Sequence, residues 1–146
     1  MKSKQIGSGV EQRYVLVMDT GDEVMGELQR FAAEHKLTAS SFTAIGAFSS
    51  ARLGFFDLQS KDYQPIVIDE QVEVLSLVGD ITLDQGKPKV HAHVVVGKRD
   101  GSAHGGHLLE AHVRPTLEVV LTESPQTLKR RMDAATGLAL IEVDKT

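Results

Sequence analysis

The order of apolar and polar positions divides the chain into one helical stretch and a longer run of strands. Tyr14, Leu16 and Met18 alternate with Val15 and Val17, which predicts a strand with apolar residues on both faces. "TGDE" follows, and Thr20 with Glu23 three residues on reads as a capping box that starts a helix. Val24, Leu28, Phe31, Ala32 and His35 then recur at helical spacing to about residue 36. Gly26 costs that helix about 1 kcal/mol relative to Ala, which points to something packing closely there. From Ser41 the period shifts towards two, predicting strands near 42–48, 51–58, 63–69, 71–79, 81–83, 90–97, 103–110 and 113–122. After Pro125, "LKRRM" suggests a short helical turn and "LALIEV" a last strand. One early helix followed by many strands is an α+β pattern on a mainly antiparallel sheet. Residues 1–11 are polar and carry Gly and Ser, so they read as a flexible tail ahead of a single domain over 12–146.

Composition narrows the chemistry. The 146 residues suit one core and not two. The absence of cysteine excludes disulfides, thiolate chemistry and Cys-type zinc sites. The net charge is −4, and the densest basic spots, Lys129-Arg130-Arg131 and Lys98-Arg99, are too short to track a phosphate backbone. Neither an apolar leader nor a membrane-length apolar run occurs, so a cytoplasmic protein without membrane contact is the expectation.

Four of the six histidines fall in "VHAHVVVGKRDGSAHGGHL". On a strand, His91 and His93 point to one face while Val90, Ala92, Val94 and Val96 point to the other. "KRDGS" offers the three-residue loop Arg99-Asp100-Gly101, with Gly101 as the left-handed residue of a G1 bulge. That loop pairs Lys98 with Ser102 and brings His107 opposite His93, on the same face. A two-residue Asp100-Gly101 turn would put His107 on the wrong face. Three neutral imidazoles with an open fourth position suit Zn²⁺ or another borderline divalent ion. Gly105 and Gly106 remove side chains beside His107, which would let a backbone or a bound ligand come close. The same spacing also suits a half-exposed polar face, with Gly-Gly as a simple bulge. His104 and His112 are the weaker candidates.

The segments "YVLVMDTGDEVMGELQRFAAEH", "SFTAIGAFSSARLGFFD", "VEVLSLVGDI", "HAHVVVGKRDGSAHGGHLLEAHV" and "PTLEVVLTE" occur in the order seen in the PPC domain (plants and prokaryotes conserved domain). The resemblance spans about residues 12–142, and His-x-His followed by Asp-Gly and Gly-Gly-His-Leu is its most specific part. It implies an α+β domain that assembles as a homotrimer. It also implies a metal site on His91, His93 and His107. In plants the domain follows an AT-hook, an Arg-Gly-Arg-Pro reader of the minor groove, in nuclear DNA-binding regulators. This sequence carries no such hook.

Glu73 sits in "VEVLSL" on the face predicted for Leu75 and Leu77, where it would support a histidine, act as a general base or belong to an edge or interface. Arg52 would pair with it, bind an anion or lie on the surface, and Gly46 would mark a bulge or a tight subunit contact. Neither a P-loop nor a G-x-S-x-G elbow is present. Three functional classes follow. The first is a regulatory module that binds protein partners and touches DNA weakly or indirectly. The second is a metal-dependent enzyme or small-molecule sensor. The third is a structural trimer whose histidines hold no ion.

Overall fold

The computed structural model describes residues 1–143. Its elements run β1 (Lys2–Ser8), β2 (Gln12–Asp19), α1 (Val24–Glu34), β3 (Ala39–Asp57), β4 (Asp62–Ile68), β5 (Val72–Asp84), β6 (Lys87–Gly97), β7 (Ala103–Glu123), β8 (Lys129–Asp133) and β9 (Leu138–Glu142). Among the described residues the sheet is antiparallel apart from one parallel bridge, Leu83 with Lys129. β3 pairs with β5, β5 with β6, β6 with β7 and β7 with β3, so these four strands close into a ring.

Alternation decides what lies inside. Val90, Ala92, Val94 and Val96 of β6 are buried together with Leu77 and Ile81 of β5 and Leu117, Val119 and Leu121 of β7. α1 adds Val24, Leu28, Phe31 and Ala32 to the same core. Each fully buried Leu or Phe contributes about 1.5–3 kcal/mol, enough to fix which face of each strand turns inward. The Gln29 amide on α1 donates to Pro88 O (2.6 Å) and accepts from Val90 N (3.3 Å), which ties the helix to the start of β6. With the even positions of β6 held in the core, the odd ones face outward.

Four expectations change. Residues 2–8 pair with β2 rather than trailing as a tail; their side chains are almost all exposed, so backbone bonding makes the strand without an apolar signal. The helix cap is Glu23 itself, whose carboxylate accepts from Met25 N (3.1 Å) and Gly26 N (2.6 Å), while Thr20 Oγ1 donates to Pro115 O. The group close to Gly26 is therefore that cap, with Glu23 Oε2 3.0 Å from where a Cβ would stand. "KRRM" is strand β8 because "LALIE" supplies it with a partner across a turn closed by Gly137 N donating to Asp133 O (2.7 Å). Finally, the strand pairs predicted over 42–58, 71–83 and 103–122 are single long strands. Register shifts between β3 and β7 fall near the suggested breaks, at Phe48–Ser50 and at Leu108–Glu110, whereas β5 pairs without interruption through 79–81 and shifts instead at Val74–Ser76. At Gly46 a side chain would meet Thr116 O at 2.2 Å, so the bulge there is also a close approach of two backbones within the chain.

Candidate metal centre

The loop between β6 and β7 sets the site. Lys98 N donates to Ser102 O and Gly101 N to Lys98 O, both at 2.9 Å, and Gly101 takes φ +82°. Asp100 Oδ1 accepts from Ser102 N (2.9 Å) and Ser102 Oγ (2.6 Å), which stiffens the turn. The three-residue loop then runs without slippage from Gly97–Ala103 to His93–His107. His91, His93 and His107 share the outer face, with ring centroids 5.0, 5.1 and 5.5 Å apart. Each offers a ligand nitrogen, and all three nitrogens lie within 4.8 Å of one another. His91 Nε2 and His93 Nε2 are 3.2 Å apart. Two nitrogens bound about 2 Å from one zinc ion at a tetrahedral angle stand roughly 3.4 Å apart, so this pair already has the required spacing.

The rings are held from behind. His91 Nδ1 faces Asp80 Oδ2 at 3.6 Å, and the other Asp80 oxygen accepts from Arg130 Nη2 at 2.5 Å. Arg130 is almost wholly buried and also donates to Thr82 Oγ1 and Ala139 O, each at 2.8 Å. Burial alone would raise the Asp80 pKa, but contacts from His91 and Arg130 hold it below the ordinary carboxylate value. At 3.6 Å the His91 contact is long for a hydrogen bond, so the guanidinium carries most of that effect. Tyr63 stacks on His107 at 4.4 Å with its hydroxyl 3.4 Å from Nδ1. A carboxylate and a phenol behind two of the rings are the kind of partners that fix ring orientation at metal sites.

Electrostatics favours the neutral form of His93 and His107. Partial burial lowers the His107 pKa to about 4, helped by the neighbouring His91, His93 and Lys89. His93 is lowered for the same leading reason, with His91 adding to it. Nitrogens without protons at neutral pH are available to a cation. A cavity of about 590 Å³ opens over the rings, between Phe56 and Tyr63 on one side and Arg130, Met132 and Ala139 on the other. The hairpins that carry these walls meet at their tips, where Lys61 Nζ donates to Ala134 O at 2.9 Å.

The remaining predicted residues lie elsewhere. Glu73 is exposed and pairs with Gly97, well along β6 from His93. A bulge between Val74 and Ser76 breaks the alternation, so Leu77 is buried while Glu73 and Leu75 are not. Arg52 lies in register with Glu110, and among the described residues it makes no ion pair with Glu73. Gly106 lines the cavity, but the group nearest its missing side chain is Gly54 O, at 2.8 Å; for Gly105 it is Val94 O, at 3.0 Å. Both glycines thus admit neighbouring backbone. His104 is in register with Val96, away from the cluster, and His112 lies inside β7 near Glu110 rather than beyond a strand end.

Sequence reasoning missed Asp80, Tyr63 and Arg130, although Asp80 had a signal. "DQGK" is a two-residue turn, with Gln85 at φ +50° and Gly86 at φ +79°. Pairing Asp84 with Lys87 sets Asp80 opposite His91 by the same counting that joins His93 to His107.

The chain matches the family model of the Plants and Prokaryotes Conserved (PCC) domain over residues 6–125. It belongs to that family, the one its PPC-like segments pointed to. Solved structures agree along nearly the whole chain. A plant- and prokaryote-conserved protein of Pyrococcus horikoshii is 30% identical with a TM-score of 0.85, over 92% of this chain and 93% of that one. A metal-containing protein of Archaeoglobus fulgidus is 34% identical with a TM-score of 0.84, over 96% and 99%. A candidate DNA-binding protein of Bacteroides thetaiotaomicron is 27% identical with a TM-score of 0.88, over 96% of each. Among curated proteins, the bifunctional protein GlmU of Synechococcus is 31% identical over 147 residues, which is 99% of this chain and 22% of that protein. The chain therefore spans about a fifth of the length of this relative.

Proposed function

We propose that this PCC-domain protein is a regulatory binding protein built on a homotrimer, in which His91, His93 and His107 hold one divalent ion, zinc by preference. The observation that carries this reading is the convergence of three ring nitrogens within 4.8 Å at the floor of a cavity. The metal-containing relative from Archaeoglobus supports it. Three nitrogen ligands leave zinc a position open towards the cavity, where a bound molecule would be sensed or polarised.

Binding is favoured over catalysis because Asp80, the carboxylate facing His91, is engaged by Arg130, and Glu73 stands apart. A metal-dependent enzyme is the second reading, and the open position facing a cavity is what favours it. Assembly is supported by the outer sheet face. Ile45 (63% exposed), Val78 (48%) and Val120 (49%) stand together there, on the same side as the histidines, and contact with a second copy would cover them. With a net charge of −4, contact with DNA would be weak or run through protein partners.

Elemental analysis of protein purified at neutral pH without chelator tests the centre. One zinc per chain is expected, lost in His93→Ala while light scattering still reports a trimer. Protein that retains no stoichiometric metal, or a His93→Ala variant that keeps it, would remove the basis of this reading. Tight, AT-selective binding to duplex DNA at physiological salt would overturn the expectation of weak contact.

A further inference from the structure

The metal reading accounts for the floor of the cavity and leaves its walls and rim to be explained. Lys89 lies two residues before His91, and Val90 between them is buried, so Lys89 shares the outer face. It lines the cavity, and among the described residues no carboxylate pairs with it. Arg130, the other cation of the lining, is neutralised by Asp80. Among the described residues Asp84 is the one acidic side chain in the lining, so it and Lys89 cancel. With neutral imidazoles beneath, the charge of a bound divalent ion is left unbalanced at the floor. A cavity of that sign, partly shielded from water, concentrates anions.

The walls have a different character. Phe56 and Tyr63 face each other edge to face at 5.1 Å on one side. Met132 stands on the other, 64% exposed, on the same face of β8 as the buried Arg130. An exposed methionine opposite an aromatic ring, at a volume suited to a small molecule, is surface available to an apolar body. The β8–β9 hairpin that provides Met132 also lies beyond residue 125, outside the segment that the family model matches.

We infer that the cavity binds a small organic anion with a short apolar body, a short-chain monocarboxylate being the simplest case. The carboxylate lies between the metal and Lys89, and the carbon body lies between Phe56 and Met132. The inference rests on the three-histidine metal reading, and it names the ligand class of that site.

The test uses the full-length protein dialysed against zinc, with zinc stoichiometry measured first. Hexanoate and its neutral isostere hexanamide are then titrated calorimetrically into the zinc-loaded and the chelator-treated protein. Hexanoate is expected to bind the zinc form about tenfold more tightly than hexanamide, with that preference reduced in the metal-free form to the smaller share that Lys89 supplies. Lys89→Gln, an exposed change with little risk to folding, is expected to weaken hexanoate several-fold and leave both hexanamide and zinc unaffected. Met132→Ser is expected to weaken both probes. If zinc binds stoichiometrically but hexanoate binds no better than hexanamide, the ligand class is wrong and the metal centre stands. If zinc does not bind, both readings fall. Hexanoate binding that ignores Lys89→Gln and Met132→Ser would place the anion elsewhere on the protein and overturn the inference.

Discussion

Two antiparallel hairpins border the candidate site, and they are built on opposite principles. β6 and the start of β7 bury most of one face: Val90, Ala92, Val94, Val96 and Leu108 are at most 5% exposed. Their outer face can therefore present histidines at fixed spacing, because the core holds the backbone beneath them. β8 and β9 bury little, with Met132, Leu140 and Ile141 exposed by 64, 44 and 39%. Their hold on the body comes from Leu83 N donating to Leu128 O, the Arg130 contacts and the tip contact of Lys61. The first hairpin gains precision from burial, and the second keeps the freedom to shape a wall. On the proposed reading, metal geometry and ligand selection would fall to parts of the chain that differ in burial.

That contrast can be broken most forcefully through the core. Leu108→Ala, beneath the histidine face, is expected to destabilise the protein by about 2–5 kcal/mol in urea unfolding. Ile141→Ala in β9 is expected to stay within about 0.5 kcal/mol of the parent. Equal costs at the two positions would mean that the hairpins are equally integrated. Next comes the support behind His91. Asp80→Asn is expected to weaken zinc about 10–100-fold in competition with a chelator, with little change in the far-ultraviolet spectrum. An unchanged affinity would show that the carboxylate serves only Arg130.

A smaller effect is expected from Arg130→Gln. Hydrogen exchange of residues 129–142 should accelerate while β6 and β7 stay protected, and zinc should weaken less than in Asp80→Asn. Uniform acceleration across all four strands would tie the two hairpins into one cooperative unit.

The last effect is a pH dependence of the metal-free protein. Unfolded His107 takes up its proton near 6.5, and folded His107 only near about 4. Between those values the unfolded state binds more protons, so stability falls as the pH drops through that window. His107→Gln should flatten the decline in melting temperature there, and an unaltered slope would place the titrating groups elsewhere.

The first hairpin was legible from sequence because its information is local. Alternation set the faces of His91 and His93, and the length of the Arg99-Asp100-Gly101 loop set the partner of His107. The same counting from Gln85-Gly86 would have found Asp80. Glu73 was misplaced because its alternation was read straight through a bulge at Val74–Ser76 that nothing local announces. Residues 2–8 carried no apolar pattern, since an exposed edge strand is held by backbone bonds to which side chains contribute little.

What the sequence determined alone is the α+β class, the early helix and the shared face of three imidazoles, because period and turn length act within a few residues. Tertiary structure decided that β3 closes the ring by pairing with both β5 and β7, that Tyr63 from β4 lies on His107, and that Arg130 reaches Asp80 fifty residues away. Those contacts join segments distant along the chain. They depend on where bulges bend long strands and on which exposed surfaces then meet, quantities that no local pattern of residues encodes.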